Sequence, residues 1–405
     1  MPSANDDITA WREQVIDWLA EHAAEYAQPR EFSEQELVRR SKEWIRKKHD
    51  AGYSAIAEPV EAGGAGGTPE QAAVFAREEA RYHVPTFTGV SIGFAMAMEA
   101  VKRHGTPEQY QRFGTLTHRG DITWCQLFSE PAAGSDLAAL RTRAVRKGDK
   151  WVVNGQKVWS SWAHHADWGI LIARTDPTVP KHKGLTFFVV DMTSPGVEVR
   201  PIRQITGHSD FNETFLTDVE IPDDCRIGAE GEGWACCMTV LATERNRSSG
   251  AGSTEQRHDS AMALIRKAAE TPRGDGTALD SAAVRARLAD FYVRERGLDN
   301  FSQRLRGILA DGGAPPATVA MMKLVSATQM QQSNAFLMDV DEYEGLFSAP
   351  GHDRDPIFYE YLWSAAMRIA GGADEVLRNQ LAERALGMPG EMRADKGVPF
   401  NELPG

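Results

Sequence analysis

Residues 126–136 read QLFSEPAAGSD, and residues 150–161 read KWVVNGQKVWSS. In the second stretch, Trp151-Val152-Val153 and Lys157-Val158-Trp159 are β-favouring runs on either side of Asn154-Gly155. An Asn-Gly pair flanked in this way predicts a two-residue hairpin, because both central residues of a type I′ turn need φ > 0. In the first stretch, Pro131, Ala132, Ala133 and Gly134 break regular structure. Ser129, Ser135 and Asp136 add short polar groups beside exposed backbone N–H. A loop of this kind suits a polar, flat or phosphorylated ligand.

Outward from this centre the chain changes character twice. Upstream, Ile8, Trp11, Val15, Ile16, Trp18 and Leu19 recur at helical spacing. Ser33 with Glu36 predicts a capping box for a second helix, and Thr68-Pro69 predicts the start of a third. The Gly63–Gly67 run reads as a flexible turn. A helix over 86–103 is rich in small residues, including Gly89, Ser91, Gly93 and Ala97. Between 122 and 226, β-favouring runs such as 168–172, 185–190 and 214–222 are separated by turn residues, which predicts a small barrel or sandwich. Downstream of Gly228 helical patterns return, at 231–249, 298–309, 318–338 and about 374–387, the last with Asp374 as a candidate N-cap. Loops are expected at 272–277 and 350–356. The expected domains are 1–121, 122–230 and 231–405.

Composition narrows the function classes. The 405 residues are 42% hydrophobic and 25% charged, ordinary values for a globular protein of two or three domains. A net charge of −12 argues against a nucleic-acid or anionic-membrane partner. The N-terminus lacks a basic start with an apolar run, so no signal peptide is expected, and no run nears the roughly 18 apolar residues of a membrane span. Cys125, Cys225, Cys236 and Cys237 lack a framework spacing, which implies reduced thiols in the cytoplasm. His164 and His165 have no third ligand at metal spacing in the sequence and read as surface or packing histidines, so no metal is expected.

Ser129-Glu130-Pro131, Ala133-Gly134-Ser135-Asp136, Asn154-Gly155-Gln156-Lys157 and Trp159 together resemble the acyl-CoA dehydrogenase flavoprotein family, in type and spacing. The likeness covers about 55–400, and the Gly63–Gly67 segment and the helical–β–helical order also fit. It implies a mostly helical α+β fold: an N-terminal helical domain, a small β-barrel and a C-terminal four-helix bundle. It also implies FAD, an acyl-CoA substrate of lipid metabolism, an electron-transfer flavoprotein as acceptor, and a dimer or tetramer, homo- or hetero-oligomeric. Gln126, Phe128 and Ser129 would contact the flavin ring, Gly134 and Ser135 the flavin or the CoA pantetheine, Trp159 the isoalloxazine, and Ser161 the region of N5. The helix at 86–103 would line the acyl pocket with Ser91 and Gly93, unless these small residues serve helix packing. Arg245 would steady the substrate.

The family's usual base is a Glu before the last helix, where Gly371 stands here. Gly371 can still give its backbone N–H to the thioester oxygen. A minority of the family places the base in a Leu-x-x-Glu-Arg context, matched by Leu241–Arg245. On a helix Cys237, Leu241, Glu244 and Ser248 share a face, so Glu244 is an acid among apolar and small neighbours, where desolvation raises a carboxyl pKa. Asp374, Glu375 and a Glu244–arginine surface pair are the alternatives. The family's Arg-x-x-Phe-Gly segment, which contacts a neighbouring subunit's FAD, is absent from 270–306. A related second polypeptide can supply it, as in bacterial heterotetramers acting on bulky acyl-CoAs. A non-catalytic partner subunit and a flavin oxidase or monooxygenase are the competing functions.

Overall fold

The computed structural model describes residues 4–26, 33–248, 260–310, 318–341 and 356–403. The chain forms two compact units, residues 1–243 with 394–405, and residues 244–393.

The first unit begins with helices α1 (Ala4–Tyr26), α2 (Glu34–Asp50) and α3 (Pro69–Glu79). The helical spacing in α1 buries Val15, Leu19 and Ala23 against Trp44, Ile56 and Phe75. Trp18 adds ring contacts to Trp44 and Tyr53 at 5.4 and 5.0 Å. Thr68 and Gln71 form a full reciprocal capping box on α3. Ser33 caps α2 through the Glu36 N–H at 3.2 Å, but the expected return bond is missing. The Glu36 carboxylate binds Arg39 and Arg40 instead.

The small-residue helix is split into α4 (Thr88–Ser91), a π-helical turn Ile92–Ala97 and α5 (Met98–His104), followed by α6 (Pro107–His118). Eight strands then make one sheet: β1 (Trp124–Leu127), β2 (Arg143–Lys147), β3 (Lys150–Ser161), β4 (Trp168–Arg174), β5 (Leu185–Asp191), β6 (Val197–Ile202), β7 (Phe211–Pro222) and β8 (Arg226–Ile227). The order is β6-β7-β3-β2-β4-β5-β8, with β1 added parallel to β4. Its inner residues, with α5 and the start of α7 (Gly233–Ser248), form the main core. All four cysteines are free and buried.

The predicted hairpin at Asn154-Gly155 is not there. Strand β3 runs straight through this pair, and the hairpin closes at Gly148, between Lys147 and Lys150. Asn154-Gly155 is a bulge facing β7, where the register shifts between Val153 and Gly155. The Asn154 side chain donates to Asp218 Oδ1 at 3.0 Å and accepts from the Asp218 N–H at 2.9 Å. Glycine is required for space: a Cβ on Gly155 would lie 2.3 Å from Thr142 Oγ1 and 2.7 Å from its Cα.

The second unit contains α8 (Ala261–Glu270), the two-residue strands β9 (Pro272–Arg273) and β10 (Gly276–Thr277), α9 (Ala282–Ala310), α10 (Val319–Asp341), α11 (Pro356–Ser364) and α12 (Asp374–Gln380). Its core joins Leu264, Leu288, Phe291, Phe336, Leu337 and Val340. The loop expected at 272–277 is this small hairpin. The loop at 350–356 lies outside the described residues except for Pro356, which opens α11. Ala373, not Asp374, takes the N-cap of α12. Among the described residues no helix is long and apolar enough to cross a membrane.

Gly155→Ala forces the Thr142 backbone to move. It should cost about 1–3 kcal/mol of stability, read as a lower urea midpoint with an unchanged slope; an unchanged midpoint would show that the bulge absorbs the methyl.

Candidate functional site

The loop after β1 is built on a buried charge. Glu130 and Ala133 exchange backbone hydrogen bonds at 3.0 Å, closing a tight turn over Pro131-Ala132. Glu130 Oε1 accepts from Lys157 Nζ at 2.8 Å and from the Thr142 N–H at 2.9 Å, while Oε2 accepts from the Arg141 N–H at 2.6 Å. Lys157, fully buried, also donates to the Phe128 carbonyl at 3.0 Å. The Val158 N–H binds the Ser129 carbonyl at 2.9 Å. Burial alone would raise the Glu130 carboxyl, but the Lys157 ammonium and the backbone donors outweigh it and hold it below the usual carboxylate value.

Two residues past Lys157 the strand breaks pattern. The pairing with β7 shifts register between Lys157 and Ser160, and Trp159 sits at φ 62°. This turns its indole outward: it is 57% exposed, with an edge contact to Phe211 as its ring contact among the described residues. A large aromatic held in a left-handed conformation at the surface has no packing reason to be there. Gln126, Ser129 and Ser161 are half-buried, and their side chains make no hydrogen bond among the described residues. Gly134 and Ser135 are exposed on the loop. Phe128 differs from expectation: its ring is buried in the core against Phe187, so only its backbone faces the loop.

The far end of the loop is pinned by residues that sequence reasoning missed. Arg174 donates to the carbonyls of Ala138, Leu140 and Lys181 at 2.6, 3.2 and 3.1 Å. Its guanidinium lies 3.5 Å from the centroid of Phe400. Lys181 bridges Asp136 at 2.6 Å and Asp395 at 2.5 Å. The returning C-terminal segment is tied in by Phe400 N–H to Val179 O at 3.0 Å and Asn401 N–H to Pro177 O at 2.9 Å. No short motif marks these partners; Phe400 and Asp395 lie more than 200 residues from Arg174 and Lys181 in the chain.

Gly93 is not free to line a cavity. A Cβ there would meet Trp124 Cδ1 at 2.5 Å, so its small size serves helix-on-strand packing, the alternative left open by the sequence. Ser91 is half-buried, one residue before the π-turn. Glu244 is half-buried on α7, on the helical face of the buried Cys237 and the half-buried Leu241. Arg245 belongs to α7 by its backbone; its side chain, like that of Ser248, lies outside the described residues. Gly371 and Gly372 have φ of 67° and 102°. Asp374 is buried and paired with Arg368 and Lys323, so it holds structure and is not available as a base. Lys323 also donates to the Gly372 carbonyl at 2.7 Å.

The helical–β–helical order agrees with the three-domain order of a family of flavin-dependent oxidoreductases. Residues 5–121 match the acyl-CoA dehydrogenase N-terminal domain, 125–219 its middle domain and 231–386 its C-terminal domain. The chain is 34% identical over 396 residues to acyl-CoA dehydrogenase IpdE1 of Mycobacterium tuberculosis, covering 96% of this chain and 99% of the relative. It is 41% identical over 293 residues to acyl-CoA dehydrogenase FadE34 of the same organism, covering 72% of this chain but only 39% of FadE34. The structure of the ChsE4-ChsE5 complex from Mycobacterium tuberculosis superposes with a TM-score of 0.76 at 26% identity, over 96% of this chain and 100% of that one. The chain belongs to the acyl-CoA dehydrogenase family, whose cofactor is FAD, and it is an oxidoreductase of that family.

Lys157→Met leaves the Glu130 carboxylate buried without its cation. A loss of about 3–5 kcal/mol is expected, and the double variant Lys157→Met/Glu130→Gln should recover part of it, as measured by a double-mutant cycle of chemical unfolding. The depressed Glu130 carboxyl stabilises the fold above its unfolded value of about 4.3. That stabilisation is lost as pH falls through the lower folded value. A cycle showing no coupling would remove the pair from its structural role.

Proposed function

We infer that the protein performs α,β-dehydrogenation of an acyl-CoA thioester. The outward Trp159 carries the reading, because its strained, exposed placement beside unpaired polar groups suits a flat ring with hydrogen-bonding edges. Trp159 would pack against FAD, with Gln126, Ser129 and Ser161 hydrogen-bonding its edge, the backbone at Phe128 shaping the loop, and Gly134 allowing close approach. Bound FAD supplies the acceptor for the β-hydride. Glu244, half-buried on the face of α7 that carries Cys237 and Leu241, takes the α-proton. The Gly371 N–H donates to the thioester oxygen as negative charge develops there. Ser135 meets the CoA pantetheine, Arg245 steadies the substrate, and Ser91 borders the acyl chain. Electrons pass on to an electron-transfer flavoprotein.

The missing Arg-x-x-Phe-Gly segment between 270 and 306 favours a hetero-oligomer in which a related chain completes the FAD contact. Such a protein is colourless when purified alone and yellow when produced with its partner.

Anaerobic titration of the flavin-loaded protein with a panel of acyl-CoAs, branched and sterol-derived ones included, tests the reaction; no bleaching with any of them would refute it. Glu244→Gln should retain flavin yet slow its reduction at least a hundredfold, whereas wild-type rates in that variant would exclude Glu244 as the base. Trp159→Ala should lose flavin on dialysis, and full retention would take the indole out of the site.

A further inference from the structure

His164 and His165 gain a third partner that their sequence neighbourhood does not show. Glu34, in the first turn of α2, places Oε2 3.2 Å from His164 Nε2 and 3.4 Å from His165 Nε2. The ligand atoms of the three residues all lie within 4.8 Å of one another. A tetrahedral zinc ion with N and O ligands at roughly 2.0–2.1 Å separates neighbouring ligand atoms by about 3.3 Å. The two nitrogen–oxygen spacings match that edge.

The orientation of the His164 ring points the same way. Asn212 Nδ2 donates to the Ser160 carbonyl at 2.9 Å, which orients the amide so that Oδ1 faces His164 Nδ1 at 2.8 Å. Nδ1 therefore carries a hydrogen, and Nε2 is the ring nitrogen turned toward Glu34. A ligating histidine whose other nitrogen donates to a fixed oxygen is the usual outer-shell arrangement of a metal site. His165 Nε2 approaches the same carboxylate oxygen. Two imidazolium ions with centroids 4.3 Å apart would repel each other, whereas one divalent cation satisfies all three acceptors. Trp162 stacks on His164 at 5.7 Å and lies tilted against His165 at 5.9 Å, which holds both rings.

We propose that Glu34, His164 and His165 bind one divalent zinc-type ion, with water in the fourth position. The ion clips α2 to the turn after β3, and through His164 and Asn212 it steadies the backbone at Ser160, next to Trp159. The site stands independently of the dehydrogenase reading.

The test uses untagged full-length protein, stripped with chelator and titrated with zinc chloride in a calorimeter. About one equivalent is expected to bind, and the thermal midpoint to rise with it. The four buried cysteines do not compete. Co2+ in place of zinc should give the intense visible bands of a four-coordinate site. Glu34→Gln and His165→Gln should each weaken zinc binding at least tenfold while keeping the wild-type circular dichroism spectrum. No stoichiometric zinc in the wild type, or unchanged binding in a Glu34→Gln/His164→Gln double variant, would overturn the proposal. Should a variant fold poorly, the wild-type stoichiometry and the Co2+ spectrum decide it.

Discussion

One ammonium group, sealed from water, holds the middle of this protein in register. Removing Lys157 and Glu130 from solvent costs several kcal/mol per ion, a cost offset only by good geometry and further hydrogen bonds. Here the carboxylate accepts three donors, and the ammonium adds the Phe128 carbonyl to its carboxylate partner. Every one of these bonds ends on the loop that follows β1 or on its return into β2. The pair therefore fixes where the loop leaves the sheet and where it comes back. Between those points Gly134 and Ser135 stay exposed on a rigid base, the arrangement a binding loop needs. It also explains why an acid in the first half of the sequence motif is matched by a lysine in the second.

The other side of that loop is held by the chain's own end. Phe400 lies under the Arg174 guanidinium, and Asp395 shares Lys181 with Asp136. Arg174 is nearly fully buried, and burial pulls its pKa down to about 10; three carbonyls and an aromatic face compensate the charge. The C-terminal segment thus belongs to the first compact unit, although it follows the second in sequence. Loop 134–140 is braced from two directions, by an ion pair at its root and a cationic cluster at its tip. Trp159 can sit in a costly left-handed conformation because the strand before it is locked by Lys157.

Much of this was visible in the residues, and the failures have physical causes. The order helical, β, helical followed from periodicity, and the Thr68 cap from a local pattern whose partners lie three residues apart. Asn154-Gly155 misled because the same pair suits a turn and a bulge. The deciding contact, Thr142 against Gly155, comes from a different strand end. Gly93 looked like room for a ligand, but smallness also serves close packing, and only the position of Trp124 separates the two. His164 and His165 lacked a partner because Glu34 is 130 residues away. Arg174, Lys181 and Phe400 left no sequence signal, since each works through backbone carbonyls or through partners at long range.

The double glycine before α12 shows how the backbone constrains the chemistry. A residue with a Cβ at the φ of 67° found for Gly371 would carry roughly 1–2 kcal/mol of strain. Open space around Gly371 would admit a side chain sterically, so the conformation, and not crowding, favours glycine there. The turn is held from beneath: Lys323 binds the Gly372 carbonyl, and Asp374 is buried between Lys323 and Arg368. Such a turn presents backbone N–H well and a carboxylate side chain poorly. Glu244 stands on a separate element, α7, whose earlier turns bury Cys236, Cys237 and Val240.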